Sequence, residues 1–120
     1  MSRDHRKLHV FAQADALVLS VYAETAIFPP DERFGLRAQV RRAAISVPTN
    51  IVEGCARRKE GEYLQFINIS TGSAAETLYL LELSTRLGFL TSEAYLRLEP
   101  KYTILIKGLK KLQRSLEPAS

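Results

Sequence analysis

The stretch Gln39-Val40-Arg41-Arg42-Ala43-Ala44-Ile45-Ser46-Val47-Pro48-Thr49-Asn50-Ile51-Val52-Glu53-Gly54 decides how this chain is read. Gln39, Arg42, Ser46, Asn50, Glu53 and Arg57 follow one another at steps of three or four residues. That spacing stacks them on one face of a helix. Val40, Ala43, Ala44, Val47 and Ile51 form an apolar stripe beside them. Pro48 lies inside the pattern, yet the periodicity continues to Ile51. A proline removes one backbone hydrogen bond and bends a helix without necessarily ending it. The spacing therefore predicts a kinked helix over 32–57, with Asp31 as a cap and Ser46 helping to satisfy the carbonyl that Pro48 frees. Gly54 and the basic Arg57-Arg58-Lys59 read as its end, because cations favour a helix C-terminus.

Three more helices are read outward from this one. Val10, Ala14, Leu17 and Val21, with Phe11, Val18 and Tyr22 beside them, predict a helix over 8–26. Its apolar stripe is wider than one neighbouring helix would cover, and Phe28-Pro29-Pro30 stops it. Tyr63, Phe66, Ile67, Ser70, Ala74, Leu78 and Leu81 trace the buried face of a helix over 60–87. Small residues at its centre, Ser70 to Ala75 around Gly72, predict close approach of another helix, since a mid-helix glycine costs about 1 kcal/mol. Gly88 is its stop, with Phe89 and Leu90 folding back. Thr91 or Ser92 caps a helix over 91–116. Its seam of Leu98, Tyr102, Leu105, Leu109, Leu112 and Leu116 is heptad-like, and Pro100 either kinks it or splits off a short helix. No segment alternates with period two. Four helices with short links predict one all-α domain over 1–120, an antiparallel up-down-up-down four-helix bundle.

The bulk composition excludes several function classes. At 120 residues, 46% hydrophobic and 25% charged, the chain has the make-up of one soluble globular domain. No apolar run reaches the roughly 20 residues that cross a bilayer, and the charged N-terminus has no apolar h-region behind it. With the single cysteine, Cys55, this predicts a cytoplasmic protein with no membrane partner. Cys55 reads as a packing residue. His5 and His9 could clamp a metal only if their segment were helical, and a fraying end is the simpler reading. There is no Glu-x-x-His pair, phosphate loop or nucleophile set, so no catalytic residue, metal or cofactor is expected.

The whole chain resembles the family called four-helix-bundle proteins, or 23S rRNA intervening-sequence proteins. The matching residues are Phe28-Pro29, Phe34-Gly35-Leu36, Gln39, Arg41-Arg42-Ala43-Ala44, Ser46-Val47-Pro48, Asn50-Ile51, Glu53-Gly54 and Arg57. Gly72-Ser73, Glu76 and Leu87-Gly88-Phe89-Leu90 complete them. Two positions depart from the family pattern: Thr77 stands where an apolar residue is usual, and Pro100 interrupts the last helix. The resemblance implies a left-handed bundle assembled as a homopentameric ring. Some members are encoded within insertions in large-subunit ribosomal RNA genes. Others are accessory proteins of diversity-generating retroelements, where a basic surface engages nucleic acid and a reverse transcriptase.

Two functions follow as expectations. The first is a non-enzymatic oligomer that binds RNA or DNA through Arg37, Arg41, Arg57, Arg58, Lys59, Lys107, Lys110 and Lys111. The net charge of +4 is modest, but five copies would carry about +20 and act by avidity. The second is a protein-interaction scaffold, for example an accessory subunit for a reverse transcriptase. Gln39, Arg42, Ser46, Asn50, Glu53, Ser73 and Glu76 read as a buried polar network that locks the second helix to the third, with Arg42 neutralising the two glutamates.

Overall fold

The computed structural model describes residues 3–118, which contain four α-helices and no strand: α1 (His9–Thr25), α2 (Leu36–Cys55), α3 (Glu60–Arg86) and α4 (Ser92–Leu116). Short 3-10 turns at His5–Lys7 and Pro30–Glu32 precede α1 and α2. Each helix packs on its neighbours in sequence, and α1 also packs on α4. The molecule measures 46 × 23 × 22 Å. Its long axis matches the roughly 40 Å expected of the 27-residue α3 at 1.5 Å per residue.

The core follows the expected periodicities. Val10, Ala14, Leu17 and Val21 of α1 are buried, as are Val40, Ala43, Ala44, Val47 and Ile51 of α2. Tyr63, Ile67, Ala74 and Leu81 come from α3, and Leu98, Tyr102, Leu105 and Leu109 from α4. Thr77 is fully buried, and its hydroxyl donates to the Ser73 carbonyl at 2.7 Å. A hydroxyl is thus buried here at little cost, because its proton is satisfied within the helix.

Side-chain contacts fix the placement of the helices. Arg97, near the start of α4, bonds Glu24, near the end of α1, at 2.7 Å. Gly108, towards the other end of α4, faces Val10 at the start of α1. Ser46 meets Ser73, Val47 meets Ser70, and Asn68 meets Gln113. The Phe28 and Phe89 rings, from the two linkers at one end, lie 5.9 Å apart.

Several boundaries differ from the sequence reading. α2 starts at Leu36 rather than 32, and Glu32, not Asp31, supplies the capping carboxylate, accepting the Leu36 N–H at 2.9 Å. The Pro29-Pro30 pair instead sets up the 3-10 turn. Both Pro48 and Pro100 lie inside continuous helices. Gly54 is not a stop but a buried residue within α2, where a methyl group would meet Phe66 Cβ at 2.9 Å. Gly72, expected to mark a close approach, has open space at its Cβ position. At the end of α3, Gly88 takes φ +82°, and the Phe89 and Leu90 N–H groups both donate to the Ser84 carbonyl. Thr91 caps α4 by accepting the Ala94 N–H at 3.1 Å.

Candidate nucleic-acid interface

The polar ridge of α2 divides in two. Ser46 is hydrogen-bonded to Ser73 of α3 at 2.8 Å, and the Asn50 amide donates to both the Ser46 hydroxyl and the Ser46 carbonyl. Ser70 donates to the Val47 carbonyl at 2.8 Å. These bonds tie α2 to α3 beside Pro48. Ser46 is therefore spent on α3 and not on the carbonyl freed by the proline. Gln39, Arg42, Glu53 and Glu76 are exposed, and their side chains make no hydrogen bond or ion pair among the described residues. Arg42 thus does not neutralise the two glutamates. Gln39, Arg42 and Ser46 nevertheless line a cleft of about 220 Å³ with Ser73 and Glu76 of α3. Helical spacing brings these residues to one seam but cannot say which of them bond across it.

The basic residues also fall into two groups. Arg37 and Arg41 line an open pocket of about 390 Å³ together with Tyr22, Arg33, Ala38, Arg42 and Ile45. Arg41 is held firmly. Its Nε donates to Thr25 Oγ1 at 2.9 Å, its Nη2 donates to the Tyr22 carbonyl at 3.0 Å, and its guanidinium lies 4.3 Å from the Tyr22 ring centroid. Thr25 is free to accept because its own proton goes to the Val21 carbonyl.

The second group gathers at the opposite end. The Arg3 N–H donates to the Cys55 carbonyl at 3.0 Å, which lays the N-terminal segment against the end of α2. The Arg3 guanidinium lies 4.1 Å from the Tyr63 ring centroid, and Arg57 covers Phe66 at 4.8 Å. Arg58 and Lys59 are exposed in the link to α3. Lys107, Lys110 and Lys111 are exposed in the second half of α4, where Lys111 lines a groove with Leu8, His9 and Val10 at the start of α1. None of these lysines or arginines enters an ion pair among the described residues. Three glutamates that could have paired with basic residues are engaged elsewhere, Glu24 by Arg97, Glu82 by Arg86 and Glu32 by the Leu36 backbone. The five residues Arg37, Arg41, Lys107, Lys110 and Lys111 therefore do not share one surface. The pocket residues Tyr22 and Arg33 escape the sequence reading, Tyr22 because it sits at the edge of an apolar stripe and Arg33 because it falls on neither the polar nor the apolar stripe of the expected helix.

Other polar groups are explained by packing. Burial pushes the Cys55 thiol up from its ordinary value and pushes Tyr63 up to about 12. Burial alone raises Tyr102. His5 lies in the 3-10 turn, edge-on to Phe11 at 4.7 Å, so His5 and His9 do not share one helix. No described helix is long and apolar enough to cross a membrane.

The family model for the 23S rRNA-intervening sequence protein matches residues 6–111, almost the whole fold. This chain belongs to that family. A crystal structure of a protein of unknown function from the S23 ribosomal protein family, from Bacteroides thetaiotaomicron, superposes with a TM-score of 0.81 at 23% identity. The match covers 88% of this chain and 98% of that one, so the helical fold is shared nearly end to end. No curated protein matches the chain at a significant level. Neither the 23S rRNA-intervening sequence family nor this structural neighbour is described as an enzyme.

Proposed function

We propose that this member of the 23S rRNA-intervening sequence family is a non-enzymatic RNA-binding protein. Its helices run antiparallel, up-down-up-down, and it assembles as a homopentameric ring. The pairing of Glu24 with Arg97 and of Val10 with Gly108 supports the antiparallel order for α1 and α4, and the Ser46–Ser73 and Val47–Ser70 contacts support it for α2 and α3. One observation carries the RNA reading: Arg58, Lys59, Lys107, Lys110 and Lys111 sit exposed at one end, each without an acidic partner among the described residues. Unpaired surface cations attract phosphates and release counterions when they bind them.

The test is a mobility-shift assay with single-stranded RNA at low and at physiological salt. Binding is expected at low salt and weakens as salt rises. Absence of binding at low salt sinks the RNA reading.

Apolar exposure favours protein contact as well. Leu19 of α1 and Leu96 and Ile104 of α4 are 72%, 69% and 56% exposed. Leu8, Val10, Ile104 and Leu112 line a groove of about 460 Å³ between α1 and α4. This surface suits the contact between subunits of the ring. It also suits the second reading, a scaffold for a partner such as a reverse transcriptase.

A further inference from the structure

The pocket at the start of α2 is lined by four arginines, Arg33, Arg37, Arg41 and Arg42, with no carboxylate among its lining residues; the Arg33 guanidinium lies 4.8 Å from the Phe34 ring centroid. Like charges brought together on a surface repel one another, and a bound anion relieves that repulsion. Three arginines elsewhere, Arg6, Arg86 and Arg97, do have such counter-charge from Asp4, Glu82 and Glu24. Here Glu32 accepts the Leu36 N–H and Glu76 lies in the adjoining cleft that Arg42 also lines, yet no arginine of the pocket forms an ion pair among the described residues.

The pocket is also preorganised. Arg41 is fixed by two hydrogen bonds to neutral acceptors and by the Tyr22 ring, so its charge is not spent and its Nη1 has no partner among the described residues. Arg37 and Arg42 make no side-chain hydrogen bond among the described residues and can fold onto a guest. Guanidinium forks match phosphate oxygens two at a time, and a guanidinium already immobilised loses little entropy on binding.

We propose that this pocket is a binding site for a small ligand carrying adjacent phosphate groups, of the diphosphate class. A single phosphate carries about −1.5 to −2 at neutral pH, which leaves four arginines under-neutralised; two linked phosphates come closer to balance. The volume of about 390 Å³ lies at the lower end of small-ligand pockets. The site is distinct from the lysine-rich end. Tyr22 in the pocket and Val10 beside the lysines are separated along α1 by roughly 18 Å at 1.5 Å per residue. The proposal therefore stands whether or not that end binds RNA.

The experiment is calorimetric titration of the full chain with inorganic pyrophosphate at fixed ionic strength, with sulfate as the control anion. Pyrophosphate is expected to bind at least about tenfold more tightly than sulfate, a difference of about 1.4 kcal/mol. R37Q/R42Q removes two guanidiniums that make no hydrogen bond or ion pair in the fold, so it leaves the helical circular dichroism unchanged while weakening pyrophosphate about tenfold or more. K107Q/K110Q/K111Q leaves pyrophosphate affinity intact and, under the RNA reading, weakens RNA. The proposal is overturned if millimolar pyrophosphate gives no binding heat, if sulfate binds equally well, if R37Q/R42Q binds like the unmodified protein, or if the lysine variant is the one that loses pyrophosphate.

Discussion

Gly54 and Gly72 are the same residue type on two facing helices, and the structure gives them opposite roles. A Cβ at Gly54 would lie 2.9 Å from Phe66 Cβ and 3.1 Å from Tyr63 Cδ1, so α2 and α3 touch there. Gly54→Ala is expected to destabilise the fold by about 1–3 kcal/mol, the usual cost of overpacking. A Cβ at Gly72 meets nothing within 4 Å, so Gly72→Ala is expected to stabilise by about 1 kcal/mol through helix propensity. Urea unfolding of both variants measures the two signs. Sequence spacing puts the close approach at Gly72 and the stop at Gly54, because a period identifies a face but not the residue opposite it. Next to Gly54, Tyr63 is 2% exposed, and burial raises its hydroxyl from 10.0 to about 12. The unfolded chain ionises first, so this contribution is intact below pH 10 and is lost as pH climbs from about 10 to about 12. Melting temperatures across that range should fall less steeply in Tyr63→Phe than in the unmodified protein.

Between α2 and α3, a short hydroxyl chain beside Pro48 holds the two helices in register. Ser73 is 9% exposed and bonds Ser46, which also accepts from Asn50. Ser73→Ala leaves the Ser46 hydroxyl without its inter-helix partner and is expected to cost about 1 kcal/mol in chemical unfolding. Much of this is legible in the sequence. Pro48 within an unbroken period signals a continuing helix, and Ser46, Asn50 and Ser73 stand at facing spacings. Gln39 and Arg42 of the same stripe line a cleft with Ser73 and Glu76 of α3 but form no bond across it, and Glu53 is exposed; no period encodes which facing side chains come close enough to bond. The end of α3 is legible for a different reason. Gly88 adopts φ +82°, where a side chain is strained, so Gly88→Ala is expected to lower stability by about 1 kcal/mol in the same assay.

Over the whole molecule, an arginine-lined pocket lies near one end of α1 and a lysine-rich cluster near the other. The sequence holds every one of these residues, and only the packing of α4 on α1 and of the N-terminal segment on α2 sorts them. Leu19 of α1 and Leu96 and Ile104 of α4 are exposed apolar side chains, and burying them is the natural use of a ring interface. Native mass spectrometry is expected to give five times the 13.5 kDa chain mass, and Leu96→Glu to shift the population to monomer while the helical circular dichroism is unchanged. RNA binding through phosphates at the lysine-rich end is decided by the salt dependence of single-stranded RNA affinity, compared between the unmodified protein and K107Q/K110Q/K111Q. Log affinity is expected to fall with log salt, and the slope to become shallower in the variant by about 0.7 for every phosphate it no longer neutralises. An affinity independent of salt, or a variant that binds RNA as tightly and with the same slope as the unmodified protein, would refute phosphate binding at that end.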